Sequence, residues 1–292
     1  MSKQTTQPAP QPAYHAKGIL LYSGNCLDML RHIPTHSIDA VITDPPYACI
    51  KRPYGYWTEK AWFALMKPVV CESMRVVKPT GSAVFIVQPN AERCGRMRLW
   101  VWDFLIWGAR KWNLVQDRYG YSVDALPVGC LRRKQGLARP SLKYAIWLGA
   151  PDCYRDQGAI LWTPSQTTKL ANLADRAVQR RRTGHRVRPG QFNKRAIERG
   201  GSTPLNVLPI SNAGARSGGT HNHEAATNMV LAEHWVKYIC PPKGIVLDMF
   251  SGVATVGVAA LNLGRQYVGI EREGKYISQS IARLKQVDDR PP

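Results

Sequence analysis

The pattern of apolar and polar positions predicts an alternation of strands and helices along most of the chain. Short apolar runs bounded by turn residues are typical of strands buried in a parallel sheet. They occupy residues 18–24, 37–43, 82–88, 121–135, 143–149, 244–248 and 266–271. Apolar residues at helical spacing occupy residues 26–33, 62–79, 95–112, 226–242, 253–264 and 275–287. The pattern therefore predicts an α/β fold.

The sequence ITDPPY, residues 42–47, stands where one of these strands ends. Prolines donate no backbone hydrogen bond and hold φ at about −65°, so two in succession stiffen the chain. Asp44 and Tyr47 are thus presented on a rigid loop at the carboxyl end of a strand, which is the edge where open α/β sheets bind ligands. We interpret this loop as a candidate catalytic site; an ordinary strand-ending turn is the alternative.

A second strand, GIVLD, runs into the small-residue loop MFSGVATVG, and a third, QYVGIE, ends at Glu271. This is the pattern of a nucleotide-binding βαβ unit, in which a glycine lets the backbone approach the ligand and the carboxylate accepts from ribose hydroxyls. The pyrophosphate signatures G-x-G-x-x-G and G-K-[ST] are absent. A ligand with ribose and adenine but no pyrophosphate fits, and S-adenosylmethionine is the candidate; a tight turn without a ligand is the alternative.

The net charge of the chain indicates which kind of partner it binds. The chain has 292 residues, and 40 Lys and Arg against 20 Asp and Glu give a net charge of +20. Such an excess indicates a polyanionic partner, with nucleic acid ahead of a membrane surface. No stretch approaches the roughly 18 uncharged apolar residues of a spanning helix. Residues 1–16, which lack the apolar core of a signal peptide, are interpreted as a flexible tail.

Much of the basic charge lies in residues 151–222, where apolar periodicity fades and Pro, Gly, Ser, Thr and Asn increase. A solvated basic segment is one interpretation. Because the segment lies between two α/β halves, we expect it to contact DNA phosphates. The predicted contacts are Arg180, Arg181, Arg182, Arg186, Arg188, Lys194 and Arg195.

The seven cysteines include no C-x-x-C pair. This favours reduced thiols in a cytoplasmic protein over a disulfide framework or a zinc site. His221, His223 and Glu224 suggest a metal-dependent nuclease as a rival, but their spacing lacks a partnered ligand set such as H-E-x-x-H. We therefore expect no metal.

The order of these motifs resembles that of the β-class amino DNA methyltransferases, which modify the exocyclic amine of adenine or cytosine. A D-P-P-Y strand end comes first, a basic insert follows, and a D-x-F-x-G strand end comes last. The resemblance covers about residues 17–285 and includes GNCLDMLRHIPTHSIDAVITDPPY and LGRQYVGIEREGKYISQSIARL. It implies a Rossmann-like, mostly parallel seven-stranded sheet with helices on both faces. Residues 17–150 would form the catalytic half, 151–222 an inserted target-recognition region and 223–292 the cofactor-binding half.

The resemblance also implies roles for single residues. Asp44 and the carbonyl of Pro45 would accept the two N–H groups of the target amine, Pro46 would keep the loop rigid, and Tyr47 would stack on a flipped base. The residues expected to hold S-adenosylmethionine are Asn25, Asp44, His223, Thr227, Asp248, Phe250, Ser251, Gly252 and Glu271.

Asp as the first residue of the tetrad favours adenine N6 over cytosine N4 in this family. The implied partner is double-stranded DNA, and the implied source is a bacterium or phage, with a restriction partner left open. Family members are often dimers, so a homodimer is one alternative.

Five positions depart from the family pattern: Asn25 replaces an Asp, Met249 a Pro, Val253 a Ser, Ala254 a Gly, and Glu224 the Pro that usually follows His223. The altered loop at residues 253–254 keeps a non-catalytic DNA-binding relative among the alternatives. Methylation of RNA or of a protein glutamine is another alternative, against which Asp44 and the basic insert favour DNA.

Overall fold

The computed structural model describes residues 10–92, 95–123, 140–162, 179–180, 186–187, 196, 198–211 and 227–289. Its helices are α1 (Cys26–Leu30), α2 (Glu59–Val76), α3 (Trp100–Lys111), α4 (Met229–Ile239), α5 (Thr255–Asn262) and α6 (Gly274–Asp288). Its strands are β1 (Tyr14–Ala16), β2 (Ile19–Ser23), β3 (Ile38–Thr43), β4 (Val77–Val87), β5 (Leu114–Ser122), β6 (Leu142–Gly149), β7 (Gln179–Arg180), β8 (Arg186–Val187), β9 (Val207–Ile210), β10 (Ile245–Asp248) and β11 (Gln266–Glu271).

The contacts divide the chain into two compact units. The first contains the chain before residue 156 and after residue 206, and the second contains residues 156–206. The predicted segment boundaries at 150 and 222 stay predictions. In the described part of the second unit, β7 pairs with β8 in antiparallel register, which places Arg180 opposite Arg186.

The first unit is built on a mixed sheet whose strand order is β1-β2-β11-β10-β3-β4-β6-β5-β9. The centre is parallel, because β2, β11, β10, β3 and β4 all run in one direction. Strand β6 runs antiparallel to both β4 and β5. The carboxyl ends of β3 and β10, which carry the two motifs of interest, are therefore neighbours.

Helices cover both faces of this sheet, as predicted, and alternate side chains of β6 pack against helices on opposite faces. Its alternate residues Ile146 and Leu148 belong to the core beneath α2 and α3. Trp147 points to the opposite face and packs 5.6 Å, centroid to centroid, from Trp235 of α4. The tryptophans near α3 also pack in the core: Trp100 is fully buried and lies 4.6 Å from Trp62.

The helix boundaries follow from local capping. Asn25, Thr58 and Asn228 precede α1, α2 and α4, and each side chain accepts a hydrogen bond from the first turn. Such caps satisfy amide groups that have no partner within the helix. No described helix is long and apolar enough to cross a membrane.

The predicted count of seven strands is not confirmed, because the described sheet has nine. The short strands β1 and β9 extend its two edges, and β1 occupies residues 14–16 of the predicted flexible tail. Strand β5 begins at Leu114 and overlaps the strand predicted at 121–135 only at its first two residues. Residues 124–139 lie outside the described part, so the rest of that strand stays a prediction. The charged residues Asp117 and Arg118 interrupt the apolar pattern of β5, so the hydrophobic periodicity did not predict the first part of this strand.

Candidate active site

The D-P-P-Y loop follows β3 and is fixed by two tryptophans and an asparagine. The indole of Trp62 donates to the carbonyl of Pro46. Asn90 donates to the carbonyl of Ala48 and accepts from the indole of Trp100. Since the prolines already restrict φ, these contacts leave the loop little freedom. Asp44 is thereby held at one place on the sheet edge.

The carboxylate of Asp44 accepts three hydrogen bonds from different parts of the chain. The hydroxyl of Tyr47 donates to Oδ1 at 2.7 Å. Lys143 of β6 donates to Oδ2 at 3.0 Å, and Thr227, just before α4, donates to the same oxygen at 3.4 Å. Burial and the neighbouring Asp44 raise the pKa of Tyr47 well above its ordinary value, so Tyr47 stays a donor.

Asp248 ends β10 and turns toward the same space. Its Oδ1 accepts from the hydroxyl of Thr43 at 2.7 Å and from the backbone N–H of Phe250 at 3.1 Å. Burial raises the pKa of Asp248 to about 7, while these two hydrogen bonds lower it and the charges of Asp44 and Glu271 raise it. The carboxyl group therefore titrates close to neutral pH.

Glu271 ends β11 and binds the loop after β10. Its carboxylate accepts from the backbone N–H groups of Gly252 at 2.7 Å, Arg272 at 2.8 Å and Glu273 at 2.8 Å. Burial raises its pKa although these hydrogen bonds oppose the shift. Glu271 thus joins the small-residue loop to the next strand.

The loop itself has an unusual backbone. Gly252 and Ala254 have φ values of +54° and +56°, so both are left-handed. For alanine this conformation costs about 1–2 kcal/mol relative to a right-handed one. The phenol of Tyr267 donates a hydrogen bond of 2.8 Å to the hydroxyl oxygen of Ser251 and holds this residue in place. The turn brings the amide of Gly252 within reach of Glu271.

These groups surround one cavity of about 330 Å³ in the first unit. The predicted site residues among its lining are Asn25, Asp44, Pro45, Pro46, Tyr47, Thr227, Asp248, Phe250, Ser251, Gly252 and Glu271. The predicted site residue His223 lies outside the described part of the chain, as do Arg181, Arg182, Arg188, Lys194 and Arg195. Two segments far apart in sequence therefore form a single site.

Lys143 is a residue of this site that sequence analysis missed. The only signal in the sequence is a charged residue at the start of the apolar run KYAIWLG. Its ammonium group lies 5.9 Å from the centroid of the Tyr47 ring as well as against Asp44. It adds a hydrogen-bond donor beside Asp44 to a cavity that is lined by both acidic and basic residues.

Two other kinds of chemistry receive no support from the described residues. Cys26 lines the cavity, but burial raises its pKa to about 11, so its thiol is not a ready nucleophile. No cluster of three His, Cys, Asp or Glu side chains suited to a metal ion occurs in the part of the chain that the structure describes.

The family model described as DNA methylase, N6_N4_Mtase, matches residues 38–282 of the chain. The chain belongs to this family. The match spans both the D-P-P-Y loop and the loop after β10, from β3 into α6.

Two curated methyltransferases are similar to this DNA methylase over most of its length. It is 26% identical over 306 residues to type II methyltransferase M.PvuII of Proteus hauseri, covering 94% of this chain and 86% of that protein. It is 25% identical over 265 residues to DNA adenine methyltransferase YhdJ of Escherichia coli K12, covering 89% and 81%.

Solved structures share the fold of the methylase. The PvuII DNA methyltransferase, described as cytosine-N4-specific, superposes with a TM-score of 0.69 at 20% identity, covering 96% of this chain and 93% of that one. The Thermus thermophilus protein TTHA0409, complexed with S-adenosyl-L-methionine, gives a TM-score of 0.57 at 20% identity, covering 91% and 93%.

Proposed function

We propose that this DNA methylase transfers a methyl group from S-adenosylmethionine to the N6 amine of a flipped-out adenine at specific sites in double-stranded DNA. The observation that carries the proposal is the shared cavity, in which Asp44 of the D-P-P-Y loop faces the same space as Asp248 and Glu271. One segment offers an acceptor for an amine, and the other offers a cofactor pocket.

The cofactor pocket suits a cationic nucleoside. Four acidic residues line the cavity, namely Asp44, Asp248, Glu271 and Glu273, and the basic residues Arg52, Lys143 and Arg272 line it as well. A sulfonium ion would be attracted to the carboxylates at the ends of β10 and β11. Glu271 would accept from the ribose hydroxyls, and Gly252 leaves room for the ligand near the backbone. Asp248, Phe250 and Ser251 would line the space of the adenosyl and methionine groups, with Asn25 and Thr227 at its borders. S-adenosylmethionine supplies the methyl group.

The chain's own chemistry is to prepare the amine. The lone pair of an exocyclic amine is conjugated with the base, so the amine is a weak nucleophile. Asp44 and the carbonyl of Pro45 would each accept one N–H and turn the lone pair toward the methyl group. When the amine takes the methyl group, an N–C bond would replace the S–C bond, whose electron pair would stay on sulfur, and Asp44 would pass the excess proton to solvent.

Delivery of the base requires unstacking, which costs a few kcal/mol. Stacking on an aromatic ring returns roughly 1–3 kcal/mol per base, and Tyr47 is the aromatic residue beside Asp44. The net charge of +20 supplies attraction to the phosphates. We assign this contact to the basic segment within residues 151–222.

Cytosine N4 is the second candidate for the target. The alignment to M.PvuII, which covers 94% of this chain, supports this candidate. So does the structural similarity to the PvuII enzyme, which is described as cytosine-N4-specific. The same amine geometry serves either base. Asp44, as the first residue of the tetrad, favours adenine in this family.

The test is to map modified bases in the DNA of cells that express the chain. We expect N6-methyladenine in one sequence context, absent when Asp44→Ala is expressed and retained with Asp28→Ala, which removes an exposed carboxylate of α1. Purified Asp44→Ala should still bind DNA. N4-methylcytosine in its place would select the second candidate, and unmodified DNA from the wild type would refute the enzyme assignment.

A further inference from the structure

Lys143 presents a hydrogen-bond donor beside the carboxylate that is proposed to accept the target amine. Its Nζ lies 3.0 Å from Asp44 Oδ2, and the side chains are 26% and 12% exposed. Both residues line the cavity. A carboxylate only accepts hydrogen bonds, whereas an ammonium group only donates them. The pair is therefore an acceptor and a donor side by side at one wall of the cavity.

The position of Lys143 is fixed by the sheet rather than by the loop. Its neighbour Tyr144 pairs with Val87 at the end of β4, and Lys143 itself pairs with Gly120 of β5. Because a strand places its side chains more precisely than a loop does, the pairing of β6 fixes the position of the ammonium group at the sheet edge. Within the described residues, Asp44 is the hydrogen-bond acceptor that Nζ contacts. An ammonium group has two further N–H donors.

The four bases differ in whether their hydrogen-bonding edges match such a pair of one donor and one acceptor. Adenine and cytosine carry an amine next to an unprotonated ring nitrogen, N1 or N3, which is a donor next to an acceptor. Guanine and thymine carry a carbonyl next to a ring N–H at the same places. A donor and acceptor pair matches the first pattern and opposes the second, because two like groups would face each other and lose their hydrogen bonds.

We propose that Lys143 recognises the flipped base by donating a hydrogen bond to the ring nitrogen next to the amine that Asp44 accepts. This inference rests on the proposed function and deepens it. Lys143 then selects amine-bearing bases as a class, and the choice between adenine and cytosine falls to other parts of the cavity. Without a base, the same ammonium group holds Asp44 in place.

The test is a double-mutant cycle between Lys143 and one atom of the base. Duplexes carry the mapped target site with either the natural base or its deaza analogue, 1-deazaadenine or, for a cytosine target, 3-deazacytosine. Single-turnover methyl transfer is measured for the wild type and for Lys143→Met. Lys78→Met is the matched control, because Lys78 forms a similar pair with Asp39, at 2.8 Å, away from the cavity lining.

We expect the wild type and Lys78→Met to lose about 10- to 100-fold in the second-order rate constant of single-turnover methyl transfer on the deaza duplex, as for a hydrogen bond to a charged group. Lys143→Met should lose a similar factor on the natural duplex and show less than about 2-fold further loss on the analogue. Cofactor binding and thermal unfolding of Lys143→Met, both unchanged, would show that the fold persists.

Two results would overturn the inference. If Lys143 acted only by holding Asp44, the wild type would treat both duplexes alike and Lys143→Met would be slow on both. If the losses from substitution and analogue multiplied, the two groups would not interact. Failure of the wild type to methylate the natural duplex is a separate observation, which would refute the proposed function itself.

Discussion

The hydroxyl of Thr43 donates a hydrogen bond of 2.7 Å to Asp248 across 205 positions of the chain. Thr43 ends β3, immediately before the D-P-P-Y loop, and Asp248 ends β10, immediately before the cofactor loop. Both residues are buried. This contact joins the proposed catalytic and cofactor segments at the point where their strands pair, and it also tunes a carboxyl group with a pKa of about 7.

Replacement of Thr43 by Val should weaken cofactor binding. Thr43 lowers the pKa of Asp248, so its loss leaves more of the carboxyl group protonated at pH 7 and less attractive to a cation. A hydrogen bond to a charged group contributes about 1.5–3 kcal/mol, so we expect about a 10-fold rise in the Kd of S-adenosylmethionine. Calorimetric titration measures it. Thr43→Ser keeps the hydroxyl and should bind as the wild type does; equal affinity of Thr43→Val would contradict the coupling.

Cofactor binding should release a proton near neutral pH. The folded pKa of Asp248, about 7, lies above its ordinary value of 3.8, so the group is partly protonated at pH 6.5. A bound sulfonium ion favours the ionised form, and affinity should therefore rise as pH increases from 6 to 8. Titrations at pH 6.5 in buffers of different ionisation enthalpy reveal the release. Asp248→Asn should abolish it, and a release that persists in this variant would assign the proton to another group.

The sequence was sufficient to find both strand-end motifs but not Lys143, and the topology explains the difference. In parallel strands the functional edge lies at the carboxyl end, so Asp44, Asp248 and Glu271 could each be found from their positions at or just beyond the last residue of a predicted strand. Strand β6 is antiparallel to β4. Its beginning, not its end, therefore lies at that edge, and nothing local to KYAIWLG predicts the reversal.

Backbone strain in the cofactor loop was also beyond the sequence pattern. Ala254 was recognised as a replacement for a family glycine, but its left-handed φ of +56° emerges only from the structure. The methyl group is buried beside α5, where the loop's tertiary contacts hold it. Local propensity favours a right-handed alanine, and long-range packing overrides that preference here.

Gly257 of α5 should tolerate no side chain. A Cβ at this position would lie 2.6 Å from the ring of Tyr267, the residue whose phenol holds Ser251 in the cofactor loop. Gly257→Ala should lower the free energy of unfolding by about 1–3 kcal/mol and weaken cofactor binding. Urea denaturation and calorimetry measure the two effects.

The matched control is Gly274→Ala in the first turn of α6, where an added Cβ meets no atom within 4 Å. It should be neutral or slightly stabilising, because alanine favours helix. Equal stability of the two variants would show that α5 shifts to accept the methyl group.

The basic segment should govern the salt dependence of DNA binding. Each phosphate contact contributes about −0.9 to the slope of log K against log salt concentration. Replacing Arg180, Arg181 and Arg182 by Ala should therefore weaken binding and reduce the slope by about two to three units. Replacing the exposed Lys60, Arg110 and Lys285 by Ala removes the same charge from the first unit. Similar slopes for the two triple variants would indicate that net charge alone attracts DNA.

His234 of α4 should make the protein sensitive to acid. Burial, Arg118 and Lys237 lower its pKa to about 3, and its Nε2 lies 2.9 Å from a nitrogen of Arg118, which is itself 5% exposed. In the unfolded chain His234 takes up a proton below its ordinary pKa of about 6.5, whereas in the folded protein it stays neutral down to about 3. Stability is therefore lost as pH falls through this window.

The comparison that isolates this effect is His234→Gln, which retains an acceptor for Arg118 but does not titrate. Between pH 7.5 and 5 the wild type should lose about 2 kcal/mol relative to this variant, from about 1.5 pKa units at 1.36 kcal/mol each. Urea denaturation at both pH values measures the difference, in which the opposite contribution of Asp248 cancels because it is common to both proteins. Parallel pH profiles would mean that His234 is protonated in the folded state and that the contact with Arg118 is not maintained in solution.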